Sequence, residues 1–134
     1  MKYYEPVLTR RESDIMCILW KEGKPMIASE IAKSMEGLTI NTVQATLRKL
    51  MNRKLVEVGD IVYSGTVLCR SFRPTMTQKE FEMQVAMQSV TSLKSFRISA
   101  AAFASALLGQ NDEEVTMEEL EQLEKLIQEK KNEL

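Results

Sequence analysis

Residues 39–54, TINTVQATLRKLMNRK, combine short hydrogen-bonding side chains with four basic residues and contain no carboxylate. The basic residues are Arg48, Lys49, Arg53 and Lys54. Amide, hydroxyl and guanidinium groups recognise a partner through hydrogen bonds, and basic groups attract anions. The stretch is therefore either the solvated face of an ordinary helix or a surface that recognises a partner.

Acid–base, covalent and metal chemistry find little support in this sequence. It has no histidine, which removes the commonest general base and most zinc sites. Cys17 and Cys69 are isolated, and without an export signal we expect both to be reduced thiols. Nine of the 19 acidic residues lie in residues 111–134, where their spacing predicts a solvated helix face. We therefore expect no enzyme activity, no metal and no cofactor.

The length of 134 residues suits one domain or two very small ones. No apolar run approaches the roughly 20 residues that span a bilayer, and the N-terminal residues contain no apolar signal core. We therefore expect a cytoplasmic protein without a membrane partner.

Residues 1–75 contain 12 Lys or Arg and 8 Asp or Glu (net +4), whereas residues 76–134 contain 6 and 11 (net −5). This asymmetry suggests a different partner for each part.

Two helices are predicted before the basic stretch. The first, in LTRRESDIMCILWKEG, begins with a capping box of Thr9 and Glu12 and ends at Gly23. The second, in MIASEIAKSMEGL, is about ten residues long and ends at Gly37. Apolar residues recur at helical spacing in both and predict their core faces. They are Ile15, Met16, Leu19, Trp20, Ile27, Ile31 and Met35.

The basic stretch itself is predicted to be the third helix, with Thr39 as its N-cap. Apolar residues at spacings of three and four predict that one face lies in the core: Ile40, Val43, Leu47 and Leu50. At 100° per residue the opposite face is polar and has a small residue near its centre. That face presents Asn41, Ala45, Arg48 and Asn52, flanked by Thr42, Gln44 and Lys49.

After this helix the sequence period changes. LVEVGDIVYSGTVLCRSFRP is rich in β-branched and aromatic residues and predicts two strands joined by a turn at Ser64-Gly65. Three helices with a short turn between the second and third, followed by a β-hairpin, describe a winged helix-turn-helix. The predicted fold is mainly α with a small β-hairpin, and this DNA-binding type of domain covers residues 1–75.

Residues 76–134 are predicted to be helical again. Capping boxes begin at Thr77 and Thr116, and a very apolar segment, ISAAAFASALLGQ, lies between the two helices. The helix after Thr77 is apolar on two sides and needs covering from two directions. Leucines and isoleucine after Thr116 form a seam that pairs either with a second copy or within one chain. We expect a helical dimerisation domain here.

The sequence resembles the penicillinase-repressor and methicillin-resistance-regulator family of bacterial winged-helix repressors. The resemblance extends over nearly the whole chain and is most specific in residues 8–56. Its markers are Glu12, Met16 and Trp20 in the first helix, Glu30-Ile31 in the second, Asn41-Thr42-Val43 with Leu47 and Leu50 in the third, and Phe72 and Pro74 at the end of the hairpin.

The resemblance implies a homodimeric transcriptional repressor that binds a palindromic operator through the third helix and the wing. Base contacts would come from one face of that helix, and Ser29 and Lys49 would lie nearer phosphates. The residues expected at the DNA are Ser29, Thr39, Asn41, Thr42, Gln44, Ala45, Arg48, Lys49, Ser64 and Gly65. The residues expected in the dimer are Phe81, Val85, Met87, Val90, Phe103, Leu107, Leu120, Leu123 and Ile127.

The expected partners are double-stranded operator DNA and a second copy of the chain. Binding to DNA would make the protein nucleoid-associated. A sensor or protease acting on the repressor could be a further partner. Lys49, Arg53, Lys54, Arg70 and Arg73 are available to neutralise phosphate. The alternative is a winged-helix module for protein–protein interaction that docks through its acidic helical tail.

Overall fold

The computed structural model of the chain describes residues 7–93, 98–109 and 115–134. The chain divides into two compact units, Met1–Ser89 and Val90–Leu134. The elements of the described residues are α1 (Arg10–Glu22), β1 (Met26–Ile27), α2 (Ala28–Lys33), α3 (Ile40–Asn52), β2 (Val56–Ser64), β3 (Val67–Pro74), α4 (Gln78–Leu93), α5 (Ala100–Gly109) and α6 (Met117–Glu133). The fold is a mainly helical winged helix-turn-helix with further helices after it, as predicted.

Helix α1 begins and ends as the sequence predicts. The Glu12 carboxylate accepts the backbone N–H of Thr9 at 2.9 Å, and the Thr9 hydroxyl accepts the N–H of Glu12 at 3.2 Å. Gly23 ends the helix with φ = 73°, a conformation that costs glycine little. Between these two ends, Ile15, Met16 and Leu19 of α1 are fully buried in the core.

The prediction for the second helix was wrong in length. Helix α2 has only six residues, because Met26 and Ile27 instead form the short strand β1 and the helix ends at Lys33, before the predicted end at Gly37. These two residues pair with Phe72 and Ser71 of β3, so the sheet takes the first turn that the apolar period assigned to a helix. Both residues are buried, and apolar side chains suit a buried strand as well as a buried helix.

Helix α3 lies as predicted, but one of its four predicted core residues is exposed. Val43, Leu47 and Leu50 are buried, whereas the side chain of Ile40 is 47% exposed because it lies at the first turn, beside the hairpin. Thr46 is buried instead, and its hydroxyl donates to the carbonyl oxygen of Thr42 at 2.8 Å. That bond lets a polar side chain enter the core at little cost.

The sheet has the order β1-β3-β2, and both pairings are antiparallel. The β2–β3 hairpin, which we call the wing, turns at Gly65 with φ = 65°. A bulge interrupts it between Val58 and Ile61. There the Ser71 hydroxyl bonds both the N–H and the carbonyl oxygen of Asp60, each at 2.8 Å. A Cβ on Gly59 would lie 3.1 Å from both the Pro25 ring and the Ser71 hydroxyl, closer than an ordinary van der Waals contact.

The first compact unit extends past residue 75 because the start of α4 packs onto the winged helix. Phe81 is 3% exposed and its ring lies 5.4 Å from that of Trp20. The Trp20 Nε1–H donates to the carbonyl oxygen of Met76 at 2.9 Å. Trp20 therefore packs against the core, and its indole N–H fixes the segment that leads into α4.

The second unit contains α5 and α6. Thr116 caps α6 by accepting the N–H of Glu119 at 3.1 Å, as its sequence motif predicts. None of the described side chains in these two helices is buried. Large apolar side chains such as Leu107, Leu126 and Ile127 are more than half exposed. No helix within the described ranges is long and apolar enough to cross a membrane.

Candidate nucleic-acid interface

Helix α3 divides sharply into a core face and a solvent face. The core face carries Val43, Leu47 and Leu50, all 1% exposed or less. On the opposite face the side chains of Asn41, Ala45, Arg48, Asn52 and the flanking Gln44 and Lys49 are exposed. The structure therefore brings together on one accessible surface the polar residues that helical spacing placed there.

The first turn of this helix is fixed by two threonines. The Thr39 hydroxyl accepts the backbone N–H of Thr42 at 3.2 Å and donates to the Thr42 hydroxyl at 3.0 Å. Thr42 is half-buried, whereas Asn41 beside it is exposed. The helix start is thus set by its own side chains, and Asn41 is not used as the N-cap.

Two basic residues on the solvent side of α3 have no acidic partner in the part of the chain that the structure describes. Among the described residues, no carboxylate lies within 4 Å of the charged groups of Arg48 or Lys49. Both side chains are exposed, and α3 carries no acidic residue in its first turn. Their charges are therefore available to an anionic partner.

Two other basic residues of the predicted phosphate set form ion pairs with carboxylates of this chain. Arg53 Nη1 pairs with a Glu12 oxygen at 3.2 Å, and Arg53 Nη2 donates to the carbonyl oxygen of Val7 at 2.7 Å. Arg73 Nε pairs with a Glu57 oxygen at 3.0 Å across the hairpin. The partner carboxylates lie far away in sequence, so neither pair has a local sequence signal.

A groove beside α3 is lined by residues of α2, α3 and β3. Ser29 of α2 and Gln44 of α3 line it together with Arg70 of β3. Ile40 lies in its wall, which accounts for the exposure of that side chain. The structure thus brings predicted residues of α2 and α3 next to a basic residue of the wing.

The wing tip is exposed and uncharged. The turn consists of Gly65 and Thr66, one residue later than predicted, because Ser64 ends β2 and pairs with Val67. Ser64, Gly65 and Thr66 are all exposed. Their side chains carry no positive charge, so the tip offers only backbone groups and hydroxyls to a partner.

The predicted dimerisation residues fall into different environments. Phe81 is a core residue of the first unit, and its side chain is covered by this chain itself, so we remove it from the dimerisation set. Val85 is half-buried against the same core, whereas Met87 is 53% exposed. The side chain of Val90 lies outside the described residues. In the second unit, Phe103 and Leu120 are half-buried, and Leu107, Leu123 and Ile127 are exposed.

One family of known proteins matches this sequence over nearly its whole length. The penicillinase repressor family matches residues 8–129. The chain belongs to the penicillinase repressor family. Members of this family are winged-helix transcriptional repressors, and this chain is a DNA-binding transcriptional repressor. A comparison with curated proteins found no match.

Three solved structures that are similar to this penicillinase repressor family member have 14–15% sequence identity to it. A mutant of ZitR from Lactococcus lactis has 15% identity and a TM-score of 0.47, covering 99% of this chain and 80% of that one. The adhesin competence repressor AdcR from Streptococcus pyogenes has 14% identity and a TM-score of 0.46, covering 98% and 84%. MarR from Staphylococcus aureus, in complex with salicylate and kanamycin, has 14% identity and a TM-score of 0.37, covering 96% and 70%.

Proposed function

We propose that this repressor acts in the cytoplasm as a homodimer that binds a palindromic operator, with α3 as its recognition helix. The observation that carries the proposal is the exposed face of α3, which is polar, free of carboxylates and opposite a fully buried stripe. A major groove admits one such helix, and an exposed carboxylate there would repel phosphate.

Three residues on this face have distinct proposed roles. The Arg48 guanidinium suits the two acceptors of guanine, and the Asn41 amide suits the donor and acceptor of adenine. Ala45 lies between them and is exposed, so its small side chain lets the helix axis approach the base edges. Thr42 acts chiefly at the start of the helix, where it is bonded to Thr39.

The residues around this face are proposed to position the protein on the backbone. Lys49 on α3 has a charge without an acidic partner among the described residues. Ser29, Gln44 and Arg70 share the adjacent groove and can donate to phosphate oxygens. Ser64 and Gly65 at the wing tip offer backbone N–H groups and a hydroxyl.

Dimerisation is proposed to use the helical region after the winged helix. Leu107, Leu123 and Leu126 line a groove of about 360 Å³ in the second unit. Exposed apolar clusters of this kind mark interaction sites, and a palindromic operator supplies the reason for a second copy. Dimer symmetry would then place the two α3 helices about one turn of DNA apart, or a multiple of it. A sensor or protease that acts on the repressor is proposed as a further partner.

Base preference after substitution on α3 tests the proposal. We expect Arg48→Ala to cost about 1–3 kcal/mol on the preferred operator and to relax discrimination at one base pair of each half-site. Lys49→Ala, the neighbouring control, should weaken binding to all sequences alike, as a phosphate contact does. Binding to a library of operator variants measures both. An equal loss on every sequence for Arg48→Ala would remove this residue from the base-reading face.

A further inference from the structure

The apolar side chain of Ile40 lies at the surface, on the first turn of α3. It is 47% exposed, although Val43, Leu47 and Leu50 already supply the buried stripe of this helix. The start of the helix does not depend on it either, because the Thr39 hydroxyl caps the first turn. Neither the core nor the cap therefore accounts for a large aliphatic side chain at this place.

The surroundings of Ile40 hold its side chain in a defined position. A β-branched isoleucine keeps mostly one rotamer in a helix, and the bond from the Thr42 N–H to the Thr39 hydroxyl fixes the turn that carries it. Ile40 also lines the groove of about 410 Å³ beside α3, together with Phe72 of β3. An aliphatic group that is held in this way loses little conformational entropy when it contacts a partner.

The proposed base-reading face of α3 begins directly beside this side chain. Ile40 lies about 40° around the helix axis from Gln44 and about 100° from Asn41, and all three are exposed. Ile40 is also the first residue of α3, and the N-terminal residues of a recognition helix contact base edges. Among the groups that bases display in a major groove, the apolar one is the C5 methyl group of thymine.

We propose that Ile40 recognises thymine, by packing its side chain on the C5 methyl group of one thymine in each operator half-site. This inference rests on the proposed function, and it adds an apolar contact to the polar contacts assigned to Asn41 and Arg48. The contact distinguishes thymine from cytosine, which has no C5 methyl group. Deoxyuridine also pairs with adenine and differs from thymidine only by this methyl group, so it isolates the contact.

Replacing thymine by deoxyuridine tests the contact without changing the protein. Each thymine of the duplex upstream of the gene is replaced in turn, and fluorescence anisotropy measures the affinity of the full-length protein for each duplex. We expect the replacement of one thymine in each half-site to weaken binding about fourfold per half-site, which corresponds to the loss of one buried methyl group.

The variant Ile40→Ala connects this loss to the side chain. It should bind the thymine and uracil duplexes equally at that position, because the methyl group no longer has its partner. Ile98→Ala is the matched control, since it removes the same groups from an isoleucine of similar exposure, 45%, in the second unit. We expect this control to keep the fourfold difference. Each comparison uses two duplexes and one protein, so a change in the stability of a variant does not alter the ratio.

Two results would overturn the inference. One is equal binding of the unmodified protein to the thymine and uracil duplexes at every position. The other is a fourfold difference that persists in Ile40→Ala, which would assign the methyl group to another residue. If Arg48→Ala still relaxes base preference in either case, the proposed function stands without this contact. Failure of the unmodified protein to bind the upstream duplex would overturn both.

Discussion

Replacing Arg53 by glutamine tests whether this residue holds α3 in place instead of contacting phosphate. Its guanidinium joins the end of α3 to the start of α1, through the Glu12 carboxylate at 3.2 Å and the Val7 carbonyl oxygen at 2.7 Å. The Glu12 side chain is 5% exposed, so the loss of Arg53 would leave a covered carboxylate without its cation.

The expected cost follows from the exposure of the two partners. Removing one member of a fully buried pair costs about 3–5 kcal/mol. The Arg53 side chain is 40% exposed, and Glu12 keeps its bond from the Thr9 N–H, so solvent screening and that bond reduce the cost. We expect the free energy of unfolding to fall by about 2 kcal/mol, close to the value of a hydrogen bond to a charged group.

Urea unfolding followed by circular dichroism measures this loss. Arg48→Gln is the matched control, because Arg48 lies on the same helix, is exposed and has no acidic partner among the described residues. We expect the control to stay within about 0.5 kcal/mol of the unmodified protein. If Arg53→Gln is as stable as the control, the ion pair does not hold α3, and Arg53 returns to the phosphate contacts.

Two further predictions concern acid stability and assembly. Burial raises the pKa of Glu12, but hydrogen bonds from Thr9 and Arg53 lower it by more, so this pKa lies below the ordinary 4.5. The ionised Glu12 carboxylate therefore stabilises the fold above pH 4.5, and this stabilisation is lost as the pH falls through the folded-state pKa. The difference in free energy of unfolding between the unmodified protein and Glu12→Gln should shrink over that range. Leu123→Asp should weaken the dimer about tenfold or more in sedimentation velocity, whereas Lys125→Asp should not, and a stable unmodified monomer at micromolar concentration would contradict the assembly.

Local signals in the sequence were sufficient for most of the fold. The capping residues Thr9, Thr39 and Thr116 each bond the backbone that their motif predicts. Strand β1 could not be predicted, because its two residues gain their partners from β3, more than 40 residues away. Apolar period alone does not distinguish two buried strand residues from the first turn of a buried helix.

The solvent face of α3 was predictable because helical spacing fixes which side chains oppose the core. The roles of Arg53 and Arg73 were not, since each depends on a carboxylate that only the folded chain brings close. Phe81 was wrongly predicted to lie in the dimer interface, because its contact with Trp20 also forms only in the folded chain. Its apolar spacing on α4 is real, but the ring of Trp20 on α1 covers it within the chain.

Salt dependence of binding to the duplex upstream of the gene tests the central claim most directly. A dimeric repressor that neutralises several phosphates should show log affinity falling linearly with log salt, with a slope of several units in magnitude. We predict that slope, together with tighter binding to the upstream duplex than to unrelated DNA of equal length. A flat salt response, or no binding to the upstream duplex, would contradict DNA recognition by α3 and favour a protein–protein module that docks through its acidic tail.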